Sequence, residues 1–102
     1  MRVRLTQEQI TSIIKCFDQN FCFNDQIWLF GSRADLSKKG KDIDLYIKTS
    51  ISHPKKMGAA KTKFQVALEK ELGERKIDVV VRFGDHPIPI YDVAESEGVL
   101  LK

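Results

Sequence analysis

One segment, residues 30–44, constrains the fold of this chain more than any other. An apolar run stops at Gly31 and Ser32, and a second apolar run begins directly after Asp42 and Asp44. Two short apolar runs separated by a glycine and a polar stretch predict a strand, a turn and a second strand. Because successive side chains of a strand point to opposite faces, Asp42 and Asp44 are expected to share one face.

The residue types in this segment indicate phosphate and metal chemistry. Two carboxylates side by side on a pleated surface repel each other, and a divalent cation removes that repulsion. Gly31 allows a tight turn and a close approach of the backbone to a ligand. Ser32 adds a hydroxyl at a point where a helix can begin, so that backbone amides can face an anion. A phosphate-binding turn beside a pair of carboxylates is typical of enzymes that act on nucleoside triphosphates.

A further aspartate interrupts a third predicted strand, residues 76–83, which is rich in β-branched residues. Strand alternation puts Asp78, Val80 and Arg82 on one face and the more apolar residues on the other. An aspartate inside such a run faces either water, at the edge or surface of the sheet, or a ligand. Asp78 is therefore a third candidate carboxylate for the same site.

These residues carry a resemblance to a known family. Gly31-Ser32, nine residues, and then Asp42-x-Asp44 resembles the signature of the polymerase-β-type nucleotidyltransferase superfamily. The short chain and the run Leu-Phe-Gly-Ser-Arg-Ala resemble its smallest members, the minimal nucleotidyltransferase (MNT) domains, many of which are antitoxins beside a HEPN-domain ribonuclease toxin. The resemblance extends over roughly residues 27–101. It implies an α/β (α+β) fold, with a small mixed β-sheet of three or more strands flanked by helices.

The resemblance also implies a reaction, the transfer of AMP from ATP to a hydroxyl, expected to be a tyrosine, of a partner HEPN toxin. Asp42 and Asp44 would hold Mg²⁺, and Asp78 would bind a second Mg²⁺ and orient or deprotonate the acceptor hydroxyl. Oxygen-only ligands favour magnesium over zinc. The base of the nucleotide is not encoded by any residue that we can assign.

The turn would supply the nucleotide-binding residues. Gly31 and Ser32 would cradle the β- and γ-phosphates through backbone amides and the hydroxyl. Arg33 follows directly and is either a phosphate ligand or a solvated surface residue. Three lysines of the next loop, at positions 38, 39 and 41, either attract the triphosphate or form a solvated face.

Two other functions are compatible with the same residues. The domain could neutralise its toxin by contact alone, without catalysis. It could instead be the catalytic subunit of a small-molecule nucleotidyltransferase, such as one acting on aminoglycosides, with a second chain completing the acceptor pocket.

The remaining patterns predict helices that enclose one core. Thr6 and Gln9 indicate a capping box at the start of the first helix. A second helix is predicted over residues 54–72, with Gly73 as its C-cap. A last helix begins at residue 89 or 90 and ends near residue 97, with Ile90, Val93 and Ala94 expected to face inward, and residues 99–101 are expected to pack on the core. The two cysteines, Cys16 and Cys22, are expected to be reduced and partly buried.

Composition limits the alternatives. A length of 102 residues suits one domain, residues 1–102. The formal charge of +3 is too small to argue for direct nucleic-acid binding. No apolar stretch reaches the length of a membrane span, and the first residues lack the apolar core of a signal peptide, so we expect a cytoplasmic protein with no membrane partner.

Overall fold

The computed structural model describes residues 5–30, 43–73, 77–82 and 89–102. Within these ranges, three helices surround a four-stranded mixed sheet. The elements follow the order α1 (Gln7–Asn20), β1 (Gln26–Phe30), β2 (Ile43–Lys48), α2 (Pro54–Leu72), β3 (Ile77–Arg82), α3 (Pro89–Glu97) and β4 (Val99–Leu100). The predicted fold class is confirmed.

The strands lie in the order β3-β2-β1-β4. β1 pairs antiparallel with β2 and with β4, whereas β2 and β3 are parallel. A parallel pair needs a crossover connection, and α2 provides it. The first residues of β2 and β3 and the last residue of β1 therefore lie at the same end of the sheet.

The two faces of the sheet are covered differently. We call the first the α1/α2 face, because its side chains pack against those helices in one core cluster. We call the second the α3 face, where a smaller cluster combines Trp28 and Tyr46 of the sheet with Tyr91 and Ala94 of α3. The sheet residues of the α1/α2 face that are buried in its cluster are Ile27, Leu29, Ile43, Leu45, Ile47 and Val79.

α1 and α2 form as their sequences predict. The Thr6 hydroxyl accepts a hydrogen bond from the Gln9 amide, and the Gln9 side chain accepts one from the Thr6 amide, which completes the capping box. α2 begins at Pro54 and ends at Leu72, the predicted bounds. Gly73 follows with a φ of +82°, a conformation that glycine adopts without steric cost.

The end of the chain differs from the prediction in its inward-facing residues. Ala94 is buried, as expected, but Val93 is 42% exposed, and Tyr91 occupies the inward position instead. The side chain of Ile90 lies outside the described part of the structure. Leu101 packs on the core as predicted, and Leu100 is half exposed on a two-residue strand.

The cysteines and a buried carboxylate complete the local structure. Both cysteines are free, but Cys22 is exposed, so the expectation of partial burial is wrong for that residue. Asp25 is buried just before β1 and accepts hydrogen bonds from the Cys22 amide, the Thr49 hydroxyl and both the amide and the hydroxyl of Ser50. These bonds tie the start of β1 to the segment that follows β2. Among the described residues, no helix is both long and apolar enough to cross a membrane.

Candidate active site

Two of the predicted site residues lie at the end of the sheet where β2 and β3 begin. Asp44 lies directly opposite Asp78 in the register of this parallel pair. Residues opposite each other on neighbouring strands project from the same face, and the strands are only about 5 Å apart. Asp44 is half-buried and Asp78 is exposed. The register therefore places two carboxylates side by side on the α3 face.

β1 brings its last residue to the same place. Phe30 lies opposite Asp44 in the antiparallel β1–β2 register. Gly31, the first residue of the predicted phosphate-binding turn, directly follows Phe30 in the sequence and lies outside the described residues. Antiparallel pairing of β1 and β2 therefore brings the residue that precedes the predicted turn next to Asp44.

The remaining predicted site residues lie outside the described residues: Gly31, Ser32, Arg33 and Asp42, together with the lysines at 38, 39 and 41. Their roles stay predictions. In the part of the chain that the structure does describe, no group of three or more His, Cys, Asp or Glu side chains is placed to hold a metal ion. Asp44 and Asp78 are the two candidate ligands within the described residues, and the third predicted ligand, Asp42, immediately precedes β2 in the sequence.

Next to these carboxylates, a polar network joins α3 to the sheet. Glu95 of α3 accepts a hydrogen bond of 2.7 Å from the Tyr46 hydroxyl and one of 2.9 Å from the Arg82 guanidinium. Lys48 lies 3.8 Å from the same carboxylate. Tyr46 follows Asp44 by two residues and Arg82 follows Asp78 by four, so both lie on the α3 face with the aspartates.

The Tyr46 ring is fully buried between two aromatic neighbours. Its centroid lies 5.2 Å from that of Trp28 and 5.6 Å from that of Tyr91. Burial, and then the hydrogen bond to Glu95, raise the pKa of the Tyr46 phenol to about 12. The Tyr46 hydroxyl therefore stays protonated at physiological pH and donates the hydrogen bond that joins β2 to α3.

Sequence reasoning missed this network. Strand alternation put Arg82 on the face of Asp78, and it would equally have put Tyr46 on the face of Asp44. Glu95 carried no comparable signal, because its partners are far away in sequence. Its role depends on how α3 crosses the sheet, which no local pattern encodes.

Gly98 fixes the far end of α3 against β1. A methyl group at this position would lie 2.3 Å from the Ala94 carbonyl oxygen, 3.0 Å from the Leu29 carbonyl oxygen and 3.2 Å from the Phe30 Cβ. Only a residue without a side chain allows the chain to pass so close to the end of β1. The position of α3 is thereby tied to the residue that precedes the Gly31-Ser32 turn.

A concave region lies at the opposite end of β2, away from the candidate site. Its lining comes from the start of β1 and the end of β2, including Asp25, Lys48 and Ser50. Burial alone would raise the pKa of Asp25, but the hydrogen bonds from Thr49, Ser50 and Cys22 outweigh it and lower the pKa. Because these bonds already occupy the Asp25 carboxylate, we assign this region a structural role.

Comparison with known proteins identifies the family of the chain. The family model described as "Nucleotidyltransferase domain" matches residues 10–101. A search of curated proteins finds no significant match. Since the family model covers nearly the whole chain, this protein belongs to the nucleotidyltransferase domain family, within the polymerase-β-like superfamily.

Proposed function

We propose that this nucleotidyltransferase domain transfers AMP from ATP to a hydroxyl group, expected to be a tyrosine, of a HEPN-type toxin partner, and so acts as its antitoxin. The observation that carries the proposal is the pairing of Asp44 with Asp78 on one face, beside the residue that leads into Gly31-Ser32. Family membership supports nucleotidyl transfer. The choice of ATP and of this partner comes from the resemblance to minimal nucleotidyltransferase domains.

The register that sets Asp44 beside Asp78 supports the following reaction. The acceptor oxygen attacks the α-phosphorus, a new phosphorus–oxygen bond forms, and the bond to the oxygen that bridges to the β-phosphate breaks. Pyrophosphate leaves with that bond's electron pair. Asp78, which is exposed beside Asp44, is the group that takes the acceptor proton or holds the hydroxyl in line.

The donor set of this site fits magnesium. Asp42, Asp44 and Asp78 offer only carboxylate oxygens, which hard divalent cations prefer. These three residues would hold two Mg²⁺ ions, which supply charge stabilisation to the attacking and leaving oxygens when bound. Gly31 and Ser32 would bind the β- and γ-phosphates, and Arg33 is placed by sequence to add a cation there.

The structure favours an acceptor that brings its own binding surface. The described residues form a single sheet with its three helices, and α3 covers much of the face that carries the aspartates. No separate acceptor-binding module is present among them. A protein partner therefore suits the site better than an acceptor that would need such a module.

The test follows the phosphorus atoms. The protein, Mg²⁺ and the HEPN-type product of a neighbouring gene are incubated with α-labelled and γ-labelled ATP in parallel. We expect the α label on the partner and the γ label in pyrophosphate, with a partner mass increased by one or more AMP residues.

Asp78→Asn is the decisive variant, and Asp92→Asn is its matched control. Asp92 is exposed on α3 and lies away from the β2–β3 pair in sequence. We expect Asp78→Asn to lower transfer by about 100-fold or more and Asp92→Asn to leave it unchanged. If Asp78→Asn protein inhibits the partner as potently as wild type does, and the mass of the partner changes with neither of them, the result would instead support an antitoxin that acts by contact alone.

A further inference from the structure

The two edges of the sheet differ in a way that bears on the acceptor. β4, at one edge, is two residues long, and very short edge strands discourage pairing with other chains. β3, at the other edge, has six continuous residues without proline or glycine. Among the described residues, no strand pairs with the outer side of β3. Of the two edge strands that the structure describes, β3 is the longer, and it also carries Asp78.

We propose that this outer edge of β3 binds the acceptor as an added strand, so that the substrate class is an extended, hydroxyl-bearing polypeptide segment. The inference rests on the proposed function and names how the acceptor reaches the site. In such β-strand addition, main-chain hydrogen bonds supply affinity and alternate side chains supply specificity.

Burial along β3 leaves apolar surface that an added strand could cover. In β2, which has partners on both sides, four of six residues are buried. In β3 only Val79 is buried, although the strand is mostly valine and isoleucine. Val80 and Val81 are half-buried β-branched residues, which pack well against the side chains of an adjacent strand.

Register would then place the reactive hydroxyl. A residue opposite Asp78 projects from the same face as Asp78, as Asp44 already does on the other side. Its hydroxyl would lie on the α3 face beside both carboxylates. The immediate neighbours in the segment would project from the other face, so only every second residue can reach the site.

The same geometry gives the segment a sequence preference. In either strand direction, the residue two positions from the acceptor hydroxyl lies opposite Val80, where an apolar side chain packs best. Four positions away it lies opposite Arg82, whose guanidinium already bonds to Glu95 and lies over the Tyr91 ring, 5.6 Å from its centroid. We expect specificity at the Val80 position and little at the Arg82 position.

Backbone hydrogen exchange tests the inference without relying on catalysis. The probe is the blocked hexapeptide acetyl-Val-Thr-Tyr-Thr-Val-Thr-amide at millimolar concentration, in which valine stands two positions to either side of the tyrosine. In the free protein, amides of β3 that point to β2 should be protected and the alternate, outward amides should exchange fast. With the peptide, we expect exchange of the outward amides to slow at least tenfold while the inward amides stay unchanged.

Two N-methylated versions of the peptide form the matched controls, one methylated at residues 1, 3 and 5 and the other at residues 2, 4 and 6. Only one set of amides can face β3, so one version should lose the protection and the other should keep it. Equal behaviour of the two versions, or no slowing of any β3 amide, would overturn the inference. A concentration-dependent dimer that protects β3 without peptide would overturn it too, since a second copy would then be the occupant.

The outcomes separate this inference from the proposed reaction. Asp78→Asn protein should still protect its outward β3 amides with the peptide while losing AMP transfer. Protection without transfer to any hydroxyl-bearing protein or peptide would refute the reaction and leave the docking edge standing. Normal transfer to the HEPN-type partner with no peptide-induced protection of β3 would refute the docking edge and leave the reaction standing.

Discussion

The two faces of the sheet use the same strands for different purposes. On the α1/α2 face, every buried sheet residue of the core cluster is aliphatic, and aromatic rings of Phe17, Phe21 and Phe64 pack over them. On the α3 face, the strands carry aromatic, acidic and basic residues, and Glu95 of α3 bonds to two of them. The first face buries apolar area without polar groups, whereas the second mixes packing with hydrogen bonds beside the candidate site.

This difference shows that strand alternation places core residues on one face of the sheet and candidate site residues on the other. Asp44 and Tyr46 alternate with Ile43, Leu45 and Ile47 along β2, so a shift of one residue would exchange the faces. Since the stabilising residues and the candidate site residues lie on opposite faces, substitutions at Asp44 or Asp78 need not disturb the main core. Stability and activity can therefore be measured separately in this fold.

The largest expected loss of stability comes from the α1/α2 face. Phe64 is fully buried, with ring centroids 6.3 Å from Phe17 and 5.8 Å from Phe21. Phe64→Ala should lower the free energy of unfolding by about 3–5 kcal/mol, because it leaves a cavity. Urea unfolding followed by Trp28 fluorescence measures this. Val66→Ala on the exposed side of α2 is the control and should change stability by less than about 0.5 kcal/mol; similar losses for both would show that the face is loosely packed.

A substitution at Asp25 tests the connection between the start of β1 and the segment that follows β2. Asp25→Ala removes the buried carboxylate that joins the start of β1 to Thr49 and Ser50, and with it the charge-assisted hydrogen bonds that their donors make. We expect a loss of about 2–3 kcal/mol in the free energy of unfolding. Ser96→Ala, at an exposed hydroxyl of α3, should have almost no effect.

The contribution of Asp25 to the free energy of unfolding should depend on pH in a definite direction. The pKa of Asp25 is lowered in the folded protein, so its contribution is present above about pH 4, the unfolded value, and is lost as pH falls through the folded pKa. The difference in stability between wild type and Asp25→Asn should therefore shrink in acid. A difference that stays constant down to about pH 2 would show that the charge of Asp25 does not matter.

The smallest effect is expected on the α3 face. Tyr46→Phe removes one hydrogen bond to Glu95 but leaves the ring and the Arg82–Glu95 ion pair in place. We expect a loss of about 1 kcal/mol near neutral pH. Because the folded pKa of Tyr46 is raised to about 12, wild-type stability should fall as pH rises from about 10, the unfolded value, and the variant should lack that part of the fall.

Unfolding of both proteins between neutral pH and about pH 12 gives the comparison. Both retain Tyr91 and all lysines, so the difference between their curves reports Tyr46 alone. Parallel curves across that range would contradict the raised pKa.

Local patterns predicted the fold wherever a long or strongly alternating segment carried the signal. The bounds of β1 and α2 follow from apolar periodicity and from Pro54 and Gly73. α3 is nine residues long, too short for its apolar side to be fixed by periodicity, and Tyr91 rather than Val93 faces inward. β4 is a two-residue strand that exists only because β1 offers it a partner.

Within and around the candidate site, too, some residues follow from local patterns and others only from the tertiary fold. Alternation placed Asp44 and Asp78 each on the polar side of a strand, and the register of β2 and β3 places them opposite each other. The roles of Gly31, Ser32, Arg33 and Asp42 stay predictions. Asp25 and Glu95 escaped sequence reasoning because their partners are distant in the chain, and only the tertiary fold brings them together.

The pairing of Phe30 with Asp44 has a consequence for chain entropy. The sheet already holds together the two ends of the connection between β1 and β2, twelve residues numbered 31–42. Loop-closure entropy grows only with the logarithm of loop length, so doubling this connection would cost about 0.6 kcal/mol. Insertions after Arg33 and before Asp42 should therefore cost little free energy of folding, because the pairing of Phe30 with Asp44 fixes both ends of the connection whatever its length.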